Sequence, residues 1–411
     1  MDHFNFAVYI LFKFIMSLLG KIKNHANEDF ELNVRYRRHL HQNPELSFCE
    51  FKTAKYIAKL LLEMDISIKE NVAGTGIVGI IEGKNPNKKT VGLRADMDAL
   101  PIIEQNNISY KSTNEGVMHA CGHDVHSASL LGAARILKKL SSEFEGTIKL
   151  IFQPAEEKAP GGASLMIKEG VLENPSISAM IGQHVAPNIP IGKIGFRSGM
   201  YMASTDEIYL KIIGKGGHGA APHQTIDPVL IGSHLIVALQ QIVSRNRNPS
   251  FPSVLSFGRF IGDGVTNVIP NEVTIEGTFR CMDEEWREEG LFKIKKMAEG
   301  IANSMGAICE VKIIKGYPFL KNHPILTEKL KTSAEKYVGK ENIVDLDLWM
   351  GGEDFAFYSL HVDSCFYRLG TRNEAKGIVS GVHTPTFNID EDALEIGTGL
   401  MAFMAIEELS L

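Results

Sequence analysis

The sequence predicts an α/β protein in which a mixed, mainly parallel sheet forms a catalytic domain and a ferredoxin-like βαββαβ unit is inserted into it. Three observations predict this. Short apolar runs rich in β-branched and aromatic residues, at 90–94, 147–152, 179–182 and 365–369, are mostly separated by helical patterns such as 125–140. Such alternation builds parallel sheets. The middle of the chain departs from it, reading strand 206–213, helix 227–244, strands 254–260 and 273–279, helix 283–304 and strand 307–314. That order is the split-βαβ unit. Finally, 411 residues are too many for one ordinary core and comfortable for two. The expected division is an apolar extension at 1–28, a catalytic domain at 29–198 and 317–411, and the insert at 199–316.

In chain order, the first feature is residues 6–19, almost wholly apolar and interrupted only by Lys13. This stretch is shorter than the roughly 20 residues a membrane span requires. Asp2 and no Lys or Arg precede it, and no small-residue cleavage site follows. The expectation is a hydrophobic extension or tethering helix on a cytoplasmic protein; the alternative is membrane contact through residues 6–19. Next, Ser47 and Glu50 read as a capping box ahead of Phe51, Ala54, Ile57, Ala58 and Leu61, the apolar stripe of a helix. The sequence GTGIVG at 74–79 fits a dinucleotide fingerprint. It continues into an apolar run and a turn at Asn85, Pro86 and Asn87 instead of opening a helix, which is hairpin-like and gives phosphate no helix terminus.

Composition narrows the partners. Hydrophobic residues make up 44% and charged residues 22%, the balance of a soluble globular protein. A formal charge of -6 without a dense Lys/Arg stripe gives nucleic acid nothing to bind, so the expected partner is a small molecule. Cys49, Cys121, Cys281, Cys309 and Cys365 are irregularly spaced, which argues for a reducing compartment rather than a disulfide framework.

The chemistry collects at strand ends. The run at 90–94 leads into Arg94, Asp96 and Asp98, the run at 147–152 into Gln153, Glu156 and Glu157, and the run at 179–182 into Gln183 and His184. Open α/β sheets bind ligands outside the carboxyl ends of their strands, so these segments should converge. In the sequence MHACGHD at 118–124, alternation along an extended stretch would place His119, Cys121 and His123 on one side, with Asp124 capping the following helix. Thiolate, imidazole and carboxylate together suit first-row divalent ions better than magnesium or calcium. Of Glu156 and Glu157, one could hold metal while the other carries a proton. His383, in the Gly/Pro-rich GVHTP segment, is a candidate closing ligand. His39, His41, His234, His323 and His361 have no such company and read as surface or satisfied core residues, and His126 as helix packing. Two rival readings remain: Cys121 as a nucleophile activated by His123 or His119, and a catalytically inactive small-molecule binding protein.

These residues resemble a group of metal-dependent amidohydrolases that includes hippurate hydrolase, N-acyl-amino-acid deacylases and plant indole-acetyl-amino-acid hydrolases, within the superfamily of aminoacylase and carboxypeptidase G. The resemblance rests on LRADMDALP at 93–101, MHACGHD at 118–124, QPAEE at 153–157, GKGGHGAAPH at 214–223, NVIPNEVTIEGTFR at 267–280, GGEDFAF at 351–357 and VHTPTF at 382–387. It implies two divalent metal ions (manganese, zinc, cobalt or nickel) held by Cys121, His123, Glu157, His184 and His383, with Glu156 as general base and acid. It further implies that the insert is a lid and dimerisation domain. There His218 stabilises the reacting carbonyl, and Asn267 and Arg280 are candidates to hold the substrate carboxylate. The activity implied is hydrolysis of the amide of N-acetyl or N-aroyl amino acids by a homodimer. Gly219 stands where alanine is usual, Val382 where leucine is usual, and the apolar amino-terminal stretch is extra.

Overall fold

The computed structural model describes residues 17–410, which fall into two compact units. The first runs to Gly199 and resumes at Lys321–Asp347 and from Phe357 onward; the second comprises Met200–Leu320 and Leu348–Ala356. Residues 348–356 join the second unit because Ala203 N donates to the carbonyls of Trp349 and Gly351, and Trp349 N donates to that of Tyr201.

In chain order the first unit contains α1 (Leu18–Glu28), α2 (Phe30–Gln42), α3 (Phe51–Glu63), β1 (Ser67–Val72), β2 (Gly76–Glu82), β3 (Thr90–Asp96), α4 (His123–Lys139), β4 (Thr147–Gln153), α5 (Gly162–Lys168), β5 (Ala179–Pro190) and β6 (Ile194–Phe196). The second unit contributes β7 (Asp206–Ile213), α6 (Pro228–Gln241), β8 (Ser253–Ile261), β9 (Glu272–Cys281), α7 (Glu284–Ser304) and β10 (Ile308–Lys315). The first then closes with α8 (Pro324–Val338), β11 (Ile343–Asp345), β12 (Asp363–Arg372) and α9 (Ala393–Leu409).

The first unit is built on an eight-stranded sheet in the order β1-β2-β4-β3-β5-β12-β6-β11. Its centre, β4-β3-β5-β12, is parallel throughout, as the alternating pattern requires, and the antiparallel pairs lie toward the edges. β3 and β4 are buried at every residue, the signature of strands covered on both faces. Between Glu395 and Glu407, α9 carries no charge on any face and therefore sits inside, against α4. The helices approach closely where Gly132 of α4 meets α2: a Cβ there would lie 2.6 Å from the Asn33 amide, so any larger residue would part them. α1 also belongs to this core, with Ile22 and Ala26 fully buried and its first turn capped by Ser17 Oγ accepting from Gly20 N at 3.0 Å. Residues 6–16 of the apolar stretch lie outside the described residues. Among the described residues, no helix is long and apolar enough to cross a membrane.

The second unit has the four-stranded antiparallel order β8-β9-β7-β10 with both helices packed against it, the βαββαβ arrangement expected. Ile208, Leu210 and Ile212 alternate inward along β7 to meet Ile231, Leu235 and Leu239, spaced by four on α6. Asp227 and Asp283 cap α6 and α7 by accepting from the amides of Val229 and Trp286 at 2.9 and 2.7 Å.

Two local expectations are corrected. Ser47 and Glu50 form no capping box: Ser47 Oγ donates to Asp98, and Glu50 accepts from Thr75 Oγ1 and Ala155 N. The amides of Lys52 and Thr53 at the start of α3 are taken by Glu45 Oε2 instead, at 2.8 and 2.9 Å. The glycine run at 74–79 opens no helix, as expected, but the hairpin lies before it and not through the turn at 85–87: Gly74 and Thr75 turn the chain, and Gly76–Glu82 pairs antiparallel with β1 and β4.

Candidate metal centre

The carboxyl ends of the central strands assemble the site in the first unit. Beyond β3, Asp98 is buried and accepts four hydrogen bonds: Ser47 Oγ at 2.6 Å, His123 Nδ1 at 3.1 Å, and the Glu156 and Glu157 amides at 3.0 Å each. One carboxylate thus ties the β3 end, the start of α4 and the loop after β4. Because His123 donates from Nδ1, its Nε2 is left as the free lone pair, 3.9 Å from Glu157 Oε1. The loop carrying Glu156 and Glu157 is held in a strained form, with Ala155 at φ 50° and its amide anchored to Glu50 Oε1 at 2.8 Å.

His184, on β5, donates from Nδ1 to the Val185 carbonyl at 2.8 Å, leaving its Nε2 facing Cys121 Sγ at 3.4 Å. His383 is also in the left-handed region, at φ 61°, and its amide is pinned to the Ala120 carbonyl at 2.7 Å. That bond docks the late GVHTP segment onto MHACGHD and brings His383 Nε2 to 3.2 Å from Glu157 Oε1. Ligand-type atoms within 4.8 Å of one another therefore join the expected ligands in three overlapping groups, Cys121, His123 and His184; Cys121, Glu157 and His383; and His123, Glu156 and Glu157, while Asp96, His123 and His126 form a further such group.

The donor set suits cations. His123 Nε2 is buried without a hydrogen-bond partner, a costly arrangement unless something else satisfies it, and Glu157 Oε1 faces the imidazoles of His123 and His383. Although burial disfavours charge on His123, Asp96 and Asp98 outweigh it and hold the imidazole well above its usual range. His383 is pushed up to about 10 by its contacts with Cys121 and Glu157. The negative charge that favours a proton on these two imidazoles favours a cation there as well, whereas burial, with Arg368 nearby, pushes His184 the other way. Burial raises the Cys121 thiol, the opposite of what an activated cysteine nucleophile needs.

Some expected neighbours lie elsewhere. His119 is buried with both ring nitrogens unpartnered, and none of the three groups includes it. The alternation argument fails there because His123 is already the first residue of α4. Nor does Asp124 cap that helix: Gly122, at φ 85°, occupies the cap, and Asp124 accepts from Arg37 Nε and His41 Nδ1 at 2.8 Å each. His126 is more than packing, since it bonds Asp96 and Val185. Sequence reading missed Asp98 as the hub, and missed Arg37 and His41. The signal available for the last two was a basic pair spaced by four on the inward face of a helix.

In the second unit, His218 and Asn267 are brought side by side. His218 pairs with Val268 in a short ladder, and Gly219 N donates to the Asn267 carbonyl at 2.7 Å. His218 is exposed, and its Nδ1 accepts from Ala220 N at 3.0 Å, so its Nε2 carries the hydrogen and is a donor. Arg280 sits near the end of β9, with Nε donating to Thr278 Oγ1 at 3.0 Å.

Residues 92–407 match peptidase family M20/M25/M40. The chain is 42% identical over 361 residues to N-acetyl-L-cysteine deacetylase of Bacillus subtilis (strain 168), covering 88% of this chain and 84% of that one. It is 39% identical over 392 residues to IAA-amino acid hydrolase ILR1-like 4 of Arabidopsis thaliana, covering 93% and 87%. Among solved structures, a dinuclear metal-binding M20 peptidase of Bacillus subtilis superposes with a TM-score of 0.81 at 34% identity, covering 93% of this chain and 99% of that one.

Proposed function

Because the chain belongs to peptidase family M20/M25/M40 and is a metal-dependent hydrolase, we propose that it cleaves the amide bond of N-acylated amino acids, N-acetyl or N-aroyl, releasing a carboxylate and the free amino acid. The observation that carries this reading is the overlap of the three ligand groups, which share Cys121, His123 and Glu157 and place Glu156 at their edge. In this proposal Cys121, His123, Glu157, His184 and His383 hold two divalent ions. Bound there, such ions polarise a carbonyl and make water acidic enough to ionise near neutral pH.

The chain's own groups do the rest. Glu156, buried and next in sequence to Glu157, takes the proton from the attacking water and delivers it to the departing nitrogen, since an amine leaves poorly unless protonated. His218 offers its Nε2–H to the carbonyl oxygen as negative charge develops there. Asn267 and Arg280 bind the substrate carboxylate. Manganese, zinc, cobalt and nickel all suit a thiolate, imidazole and carboxylate set. The proposal includes a cytoplasmic homodimer. The five cysteines are all free thiols, which suits a reducing compartment.

The test is a panel of N-acetyl, N-benzoyl and indole-acetyl amino acids given to metal-replete protein, followed by chelation and readdition of each ion. Release of the free amino acid should stop on chelation and return with metal. No release from any member, or undiminished release after chelation, would sink the proposal.

A further inference from the structure

His126 is fully buried on α4, and both of its ring nitrogens are committed. Val185 N–H can only donate, and it lies 2.9 Å from His126 Nε2. That nitrogen must therefore be the acceptor, so Nδ1 carries the hydrogen and donates it to Asp96 Oδ1 at 2.6 Å. The other oxygen of Asp96 accepts from Arg94 Nη1 at 2.6 Å, and Arg94 Nε donates to Gln153 Oε1 at 2.9 Å. With its lone pair used, His126 has none left for a cation.

The residue whose amide it grips, Val185, is also the one whose carbonyl orients His184. The Val185 carbonyl accepts from His184 Nδ1, which alone leaves His184 Nε2 unprotonated and facing Cys121. β12 runs on past Val185 with Leu369 in register, but β3 pairs with β5 only as far as Gly182, so on that flank no strand supplies an acceptor and the imidazole of His126 takes its place. The two rings lie against each other with centroids 4.6 Å apart. Val185 also fills the space beside Gly122, where a Cβ would come within 2.5 Å of its side chain, so a shift of β5 here would press on the start of α4.

We propose that His126 is a positioning residue: by holding the backbone of Val185, and backed by Asp96 and Arg94, it fixes the tautomer and direction of His184 as a metal ligand. This rests on the reading of His184 as a ligand given above. Ligand-orienting partners of this kind typically alter metal affinity by about 10–100-fold when removed. A histidine that merely filled the core would affect stability and leave metal binding unchanged.

The test uses the full chain as wild type, His126→Leu and His126→Gln, each loaded with cobalt, with binding measured by chelator competition and by the visible spectrum. His126→Leu should lose about 10–100-fold in affinity for one ion and show altered cobalt bands. His126→Gln should recover most of that affinity, because its amide oxygen can accept from Val185 and its NH2 can donate to Asp96. In parallel, ring-nitrogen NMR of the zinc-loaded wild type should find the hydrogen on Nδ1 of both His126 and His184. Wild-type affinity and spectrum in His126→Leu would overturn the proposal, as would a hydrogen on His126 Nε2, which needs no variant to detect. A wild type that binds no ion would overturn both this and the reading beneath it, whereas failure in the variants alone leaves the metal reading standing.

Discussion

At the scale of single residues, the proposed function separates groups that would hold cations from groups that would move protons or donate hydrogen bonds. Glu156 is the clearest of the second kind. Glu156→Gln should retain metal and fold but lose about 10²-fold or more in kcat, a typical general acid–base contribution. Metal analysis beside steady-state kinetics checks this, and near-wild-type turnover would remove Glu156 from the proton path. For His218 the prediction is different, since its backbone lies in a short ladder of the second unit and its ring offers only a donor, Nε2–H. His218→Ala should lower kcat by about 10²-fold with metal content unchanged. Loss of metal in that variant would mean that His218 is itself a ligand.

At the scale of elements, α2 presses Arg37 and His41 into the first unit, where both meet Asp124 on α4. Both nitrogens of His41 face carboxylates, Asp124 at 2.8 Å and Glu104 at 3.2 Å. Burial and Arg37 oppose a charge on His41, but Asp124 and Glu104 outweigh them and raise its pKa above the usual 6.5. The folded chain therefore holds this proton more tightly than the unfolded chain. The resulting stabilisation is complete below pH 6.5 and is lost as pH rises through the folded value. In thermal melts, wild type should exceed His41→Gln most at acidic pH, with the gap narrowing as pH climbs; a constant gap would show His41 to be neutral. The elements themselves were largely legible in the sequence, because periodicity marks strands such as β7 and helices such as α7 whatever they later touch. Partners of polar side chains were not. Ser47 and Glu50 have capping-box spacing yet serve Asp98, Thr75 and Ala155, because tertiary acceptors and donors outbid the local ones. Asp98 stood in plain view at a strand end, but that it gathers Ser47, His123 and two backbone amides depends on four segments meeting, which no local pattern encodes.

At the scale of the whole molecule, the proposed metal centre draws residues from segments far apart in sequence, Cys121 to His383, so bound ions should stabilise the first unit as a body. Removing them should lower its melting temperature and leave the second unit's transition in place, since that unit contains none of the proposed ligands. Calorimetry with and without chelator measures this, and a drop in both transitions alike would indicate that the units unfold together. Strand β12 has a further consequence, because it is late in the chain yet lies between β5 and β6. A ribosome will have released β3, β4, β5 and the entire second unit while that slot in the sheet is still vacant. During synthesis the exposed flank of β5 must wait for β12, α9 and the loop bearing His383, so the nascent chain can complete its βαββαβ unit early but can assemble the proposed metal centre only once that loop has emerged.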